Sequence, residues 1–555
     1  MNKSIRAIAS VAWVSLLVTG SPTRAGAPSP PIWGTLEPGA YAVGFKAAWQ
    51  LDYSRQYNTT FDDKTDYAPG KAPRPILVNM WYPAGPTDAR RMPHRGYLDI
   101  RSDDPRLAKF ANKLAEYNRG VIAREVMGKG LTELTNRERA LLDEFLDVPT
   151  ACVRVAAAAA GRFPLVIYHP GAGSSYEDNA VLCEYLASRG FVVLGSAFQD
   201  GSGKSFNTDN REGSARDLDF LIGYARQMPC VDWDRVGLIG HSAGAQAALV
   251  YRSQPNTAVD AVVSLDTTQD YQGVSSPLWE FPAQVVKNER HFTCPLLMVA
   301  GPDAFFELAD SLRSADRYYL TVPGVGHNDY IAQGHIRRER LHQLRAGDPG
   351  QDAAARQKDK TALNDARAGY QTVCLYVGRF LEAKLKGDAD GEDFLAKRYR
   401  DTRFGDGSPH VEYTPRGRSG PDPYQEVGAS PPTPRQVRPF LREHGSKKTI
   451  DVLRRFRKDA ATHPIFSRNF ELFLVGDLLD QGKLDDAMAL RDYYRDSGLD
   501  CGPVFLKIGK GYQNLGLGRL AAAYYKRVLL LDPGNREATD KLAELGEKSK
   551  KPGGH

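Results

Sequence analysis

From about Tyr41 to Val322, short β-branched apolar runs alternate with stretches in which apolar residues recur every three or four positions. That alternation predicts a mostly parallel sheet covered by helices. Eight strands are expected, near Tyr41 to Phe45, Ile76 to Trp81, Leu165 to His169, Phe191 to Ala197, Arg235 to Gly240, Ala261 to Leu265, Leu296 to Ala300 and Tyr318 to Val322. Several are apolar throughout, as strands buried on both faces must be. Between the second and third lies an insertion, residues 84–160, with helical patterns over Arg106 to Tyr117 and Glu138 to Leu146. Insertions of that length often act as lids or binding loops. A further helical pattern, Leu363 to Leu385, is placed to pack the last helix against the sheet.

The pattern then breaks. Residues 402–438 are rich in Pro, Gly, Arg and Ser, with Ser430-Pro431-Pro432 in the middle, and read as an extended linker, assigned here to 391–445. Beyond Lys447 the periodicity is helical only, and it repeats. Phe505, Ile508, Gly509, Tyr512, Ala521, Tyr525 and Pro533 match the spacing of a tetratricopeptide repeat, which this part resembles. A looser copy precedes it, with Val475, Gly476 and Leu479 leading into Ala487 and Tyr494. With flanking helices over Thr449 to Lys458 and Ala538 to Glu547, about six helices are expected in an all-α domain over 446–555.

Composition narrows the class of function. With 42% hydrophobic and 25% charged residues among 555, the chain is neither collagen-like nor a coiled coil nor wholly disordered. The formal charge is +6, but Lys3, Arg6 and Arg24 fall in the first 27 residues, which hold no acid, leaving +3 for the rest. So small an excess gives no support to nucleic-acid or anionic-membrane binding. Lys3 and Arg6 precede an apolar stretch, Ala7 to Val18, followed by small residues and Ala25-Gly26-Ala27, the pattern of a signal peptide over 1–27. The stretch is too short to span a bilayer, so a secreted or periplasmic protein without a transmembrane segment is expected. Cys152, Cys183, Cys230, Cys294, Cys374 and Cys501 lack metal-ligand spacing. Neither a metal nor an organic cofactor is expected.

Gly240-His241-Ser242-Ala243-Gly244 directly follows an apolar strand and opens an Ala-rich helix. That is the setting of a nucleophile elbow, in which a sharp turn raises the serine hydroxyl into a cleft. A serine needs a base, and His327 lies in the loop leaving the last expected strand, where a side chain can lean over Ser242. The base needs a carboxylate, and both Asp266 and Asp303 stand at suitable strand ends. Negative charge on the attacked oxygen needs backbone donors. One is the amide of Ala243, and a second is expected from the loop Tyr168 to Ser174. A run Gly201 to Ser205 has the look of a phosphate-binding loop, but Phe198 stands where its first glycine is required.

The run Phe163 to Gly173, with Leu186 to Val193 behind it, resembles the platelet-activating factor acetylhydrolase family of α/β hydrolases and its dienelactone-hydrolase-like bacterial relatives. Gly240 to Gly244, Ser264-Leu265-Asp266, Pro295-Leu296-Leu297 and Gly326-His327-Asn328 extend the resemblance over about residues 35–385. It implies an α/β-hydrolase domain over 28–390, with Asp266 as the acid and Ala172 as the second oxyanion amide. The family's His-Gly pair is replaced here by Pro170-Gly171, with His169 one place earlier. The expected function is an exported serine esterase acting on a small-molecule or lipid ester through Ser242, His327 and Asp266. The alternatives are a partner-binding protein that docks a second protein through its helical tail, and acyl transfer to an alcohol by the same residues.

Overall fold

Ten strands form one sheet: β1 (Ala42–Tyr57), β2 (Ala72–Ala84), β3 (Cys152–Arg154), β4 (Phe163–His169), β5 (Val192–Gly195), β6 (Val231–His241), β7 (Ala261–Leu265), β8 (Leu296–Ala300), β9 (Arg317–Thr321) and β10 (His410–Thr414). Their spatial order is β10-β9-β8-β7-β6-β4-β5-β2-β1-β3. The computed structural model describes residues 29–57, 72–198, 211–272, 280–346, 352–401, 408–419, 431–458, 463–514 and 518–550. The segment expected as a signal peptide and the Gly201 to Ser205 run lie outside the described residues.

The expectation of eight mostly parallel strands needs correction, because the sheet is mixed. The run β5-β4-β6-β7-β8-β9 is parallel, but β2 runs antiparallel to both β1 and β5, and β10 antiparallel to β9. The two additional strands sit at the two edges. β3 has only 3 residues, too few to show a period. β10 lies inside the Pro/Gly-rich stretch expected to be linker, where turn-forming neighbours hide its five-residue pattern. Further parts of 391–445 are also regular, in the helices Ala389–Asp401 and Pro434–Arg457.

Strands β4, β5, β7, β8 and β9 are buried at every position because both faces are covered. Val166 and Tyr168 of β4 face one apolar cluster with Val263 and Leu320, while Leu165 and Ile167 face the other with Val262 and Met298. This period-two division places each side chain in one of two layers. The insertion between β2 and β4 contributes the helices Pro105–Ile122 and Asn136–Leu146 and a single π turn, Ala123–Met127. Among the described residues, no helix is long and apolar enough to cross a membrane. All six cysteines are unpaired, and five are buried.

The C-terminal helices Arg468–Asp480, Leu484–Asp496, Cys501–Asn514, Gly518–Leu531 and Arg536–Lys550 follow Pro434–Arg457, which kinks at Gly445. They share a third apolar core. Gly509 is small for a reason: a Cβ there would lie 2.6 Å from the ring of Tyr525 on the next helix. The tail is joined to the sheet by charge and by apolar packing. Arg435 pairs with Asp310 at 2.5 Å and also with Glu412 of β10. Arg438 is held by both oxygens of Asp477 and by Glu307. Phe305, from the loop after β8, is part of the tail's core and meets Phe470 edge-on at 5.5 Å.

Candidate active site

The carboxyl ends of β4, β6, β7, β8 and β9 open on one cavity of about 580 Å³. Ligand sites in open α/β sheets lie at this edge, where loops rather than strands supply the side chains. Ser242, Ala243, Ala172, Asp266, Asp303 and His327 all line it.

Ser242 sits between β6 and the helix Ala243–Arg252 with φ 52 and ψ −119. A positive φ at a non-glycine residue costs on the order of 1–3 kcal/mol and persists only where neighbours impose it. Here they do. The Ser242 amide donates to the Leu265 carbonyl at 3.0 Å, while the Ser242 carbonyl accepts from the Ala245 amide at 3.0 Å. The flanking glycines permit the close turn. A Cβ at Gly240 would lie 2.3 Å from the Gly244 carbonyl carbon, and one at Gly244 would lie 2.2 Å from the His169 carbonyl oxygen. Because the helix begins at Ala243, the amide of that residue has no intrahelical acceptor, and Ala243 lines the cavity.

The loop after β4 closes in from the opposite side. A Cβ at Gly171 would lie 3.0 Å from His241 Nδ1 and 3.2 Å from Ser242 Cβ, so a larger residue would press on the turn that carries Ser242. His169 fixes the start of the loop. Its Nδ1–H donates to the Pro170 carbonyl at 2.9 Å, which leaves Nε2 to accept from the Ser214 hydroxyl at 2.8 Å. The ring stacks on Phe198, and burial pushes its pKa down to about 4, so it stays neutral. Ser174 fixes the far end. Its hydroxyl lies 2.5 Å from Glu125 of the insertion and 2.6 Å from Asp178. One hydroxyl hydrogen cannot serve both, so at least one carboxyl keeps its proton; burial pushes both carboxyls up, that of Asp178 to about 7.

His327 begins a short 3-10 turn, His327–Tyr330. Asp329 caps that turn by accepting from the Gly326 amide at 2.7 Å, and is itself held by both nitrogens of the Arg338 fork. His327 Nδ1–H donates to Asp266 Oδ2 at 2.7 Å. The imidazole is half exposed while the carboxylate is buried. Asp266 Oδ1 accepts from the Tyr271 hydroxyl at 2.5 Å, and that hydroxyl in turn accepts from the Gly301 amide at 2.8 Å. With Nδ1 committed to Asp266, Nε2 is the nitrogen left for a proton from substrate or serine. Ser242 and His327 share the cavity, but no hydrogen bond joins their side chains among the described residues; such contacts often tighten only when substrate is bound.

Of the two candidate acids, Asp266 meets His327 and Asp303 does not. Asp303 accepts instead from Ser467 of the tail, at 3.0 Å. Burial, with Asp266 nearby, pushes the Asp303 carboxyl up to about 6. A raised acid binds its proton more tightly in the folded state, so its contribution to stability falls as pH rises from about 4 through 6. The stability of Asp303→Asn relative to wild type is therefore expected to grow by about 2 kcal/mol between pH 4 and pH 7, measured by urea denaturation. An unchanged difference across that range contradicts it.

Several site residues carry no signal of their role here in the sequence. Tyr271, which bridges Asp266 to the β8 loop, is one. His241 is another. Its Nε2–H donates to the His327 carbonyl at 3.1 Å, and the two rings lie 4.8 Å apart. Burial, with His327 nearby, pushes His241 down to about 3, so it adds no charge. We expect His241→Phe to lower kcat/KM about tenfold, by loosening the turn that carries His327, without abolishing turnover. A loss as large as that for Ser242→Ala would give His241 a different role. The third group is the tail: Asn469, Phe473, Tyr512 and Leu520 line the same cavity.

No protein-family model matches the chain, and no curated protein does. Among solved structures it is similar to a ferulic acid esterase from Streptomyces cinnamoneus, at 20% identity over 67% of this chain and 96% of that one, with a TM-score of 0.41.

Proposed function

We propose that the chain is a serine hydrolase that cleaves carboxylic esters through an acyl-enzyme. One observation carries this reading: the 2.7 Å pair of His327 and Asp266 opens on the same cavity as a serine held at a positive-φ elbow. In the reaction Ser242 Oγ attacks the ester carbonyl carbon as His327 Nε2 takes its proton. Asp266 holds the tautomer with hydrogen on Nδ1 and stabilises the imidazolium that forms. The amides of Ala243 and Ala172 receive the oxyanion. His327 returns the proton to the leaving alcohol, and water, activated by the same nitrogen, then releases the acid and frees Ser242.

Within this class, the platelet-activating factor acetylhydrolase-like assignment rests on the sequence resemblance over about residues 35–385, and export on Lys3, Arg6 and the apolar run after them. The tetratricopeptide-like reading of the tail rests on its residue spacing and on the close approach of Gly509 to Tyr525. The test is turnover of chromogenic esters together with labelling by a fluorophosphonate. Labelling at Ser242 and hydrolysis of at least one ester are expected. A protein that is folded, unlabelled and inert to every ester would remove the reading.

A further inference from the structure

The helices of the tail bury most of their apolar side chains in a core of their own, where Phe470, Leu474, Phe505, Tyr524 and Tyr525 are each less than 3% exposed. Phe473 and Tyr512 pack against that core, Tyr512 with its ring 5.5 Å from Tyr524, and Leu520 packs against the sheet-side cluster, yet all three are only partly buried, come from three different helices and line the catalytic cavity. Phe473 stacks on Tyr271 at 5.2 Å. Apolar side chains left partly uncovered at one shared cavity gain free energy only when a ligand covers them. The other side of the cavity is different in kind, with Glu125, Gln333 and Arg337 supplied by the insertion and by the helix Ala332–Ala346.

We infer that the C-terminal helices build the apolar specificity wall of the catalytic pocket, and that the substrate is an ester with a medium-chain or aromatic group directed at Phe473, Tyr512 and Leu520. The inference rests on the esterase reading and adds the substrate class to it. The tail is then part of the enzyme's binding site and not a separate docking module. Its placement is fixed by contacts outside the wall: Arg435 and Arg438 pair with sheet-domain carboxylates, and Ser467 donates to Asp303. The wall therefore stands at a set distance from Ser242, as selection by length requires.

The test uses the full chain and compares p-nitrophenyl hexanoate with p-nitrophenyl acetate. Wild type is expected to favour hexanoate in kcat/KM. Tyr512→Ala and Leu520→Ala should each lower the hexanoate-to-acetate ratio about tenfold. A ratio unchanged in both variants, or a wild type that prefers acetate, overturns the inference. Should Tyr512→Ala not fold, Tyr512→Leu, which keeps an apolar side chain, should lower the ratio less than Leu520→Asn does. If wild type cleaves neither ester and Ser242 takes no fluorophosphonate, the esterase reading falls. The wall is then read directly by calorimetry with hexanoate on wild type and Leu520→Asn: about tenfold weaker binding in the variant upholds it, and equal binding overturns it.

Discussion

Ser242→Ala is expected to lower kcat by about 10⁵- to 10⁶-fold on every ester the wild type hydrolyses, and to abolish fluorophosphonate labelling. The size of the loss follows from the chemistry. Without Oγ there is no acyl-enzyme, and the base, the acid and the oxyanion amides are left to assist only a direct attack by water. The fold should survive. Alanine keeps the Cβ that already stands at this turn, and the hydrogen bonds that hold it are made by the backbone amide and carbonyl of residue 242. A melting temperature within a few degrees of wild type, alongside the kinetic collapse, distinguishes a lost nucleophile from a lost fold. Retention of labelling in the variant would mean that another residue reacts and would end the assignment.

Asp266→Asn should lower kcat by about 10⁴-fold, with KM little changed. The Tyr271 hydroxyl donates to one Asp266 oxygen while His327 Nδ1–H donates to the other. In the variant, the amide oxygen keeps the tyrosine and the amide nitrogen turns towards His327. That nitrogen donates, so Nδ1 must accept, and the ring hydrogen moves to Nε2, where it blocks uptake of the serine proton. Asp303→Asn should stay within about threefold of wild type at pH 7, because its carboxylate meets Ser467 and not the imidazole. If the Asp303 variant lost the larger factor, the roles of the two carboxylates would be reversed.

Much of this site can be read from residue order because it depends on local chemistry at strand ends. The pentapeptide around Ser242, the loop holding Ala172 and the turn carrying His327 each follow a strongly apolar strand, and the structure gathers all three on one cavity. Spacing alone does not choose between Asp266 and Asp303, since both end parallel strands; the choice depends on which carboxylate the imidazole meets. The two edge strands escape notice for separate reasons. β3, with three residues, is too short for an alternation to be recognised, and β10 is surrounded by residues that favour turns. Tyr271, His241 and the tail side chains are harder still. Their roles arise from contacts across the folded chain, such as Tyr271 against Phe473, and no pattern within either segment encodes such a meeting.

The paired arginines have a consequence for biosynthesis. Arg435 and Arg438 are at most 8% exposed, and they neutralise Asp310, Glu412 and Glu307, which belong to the sheet domain and its last edge strand. Removing one partner of such a pair leaves a charge short of compensation, at a cost of about 3–5 kcal/mol. A ribosome makes the acidic side first. Until the residues after 434 emerge, the nascent sheet domain carries these carboxylates without their arginines, and the cavity at its strand ends lacks the side supplied by Asn469, Phe473, Tyr512 and Leu520.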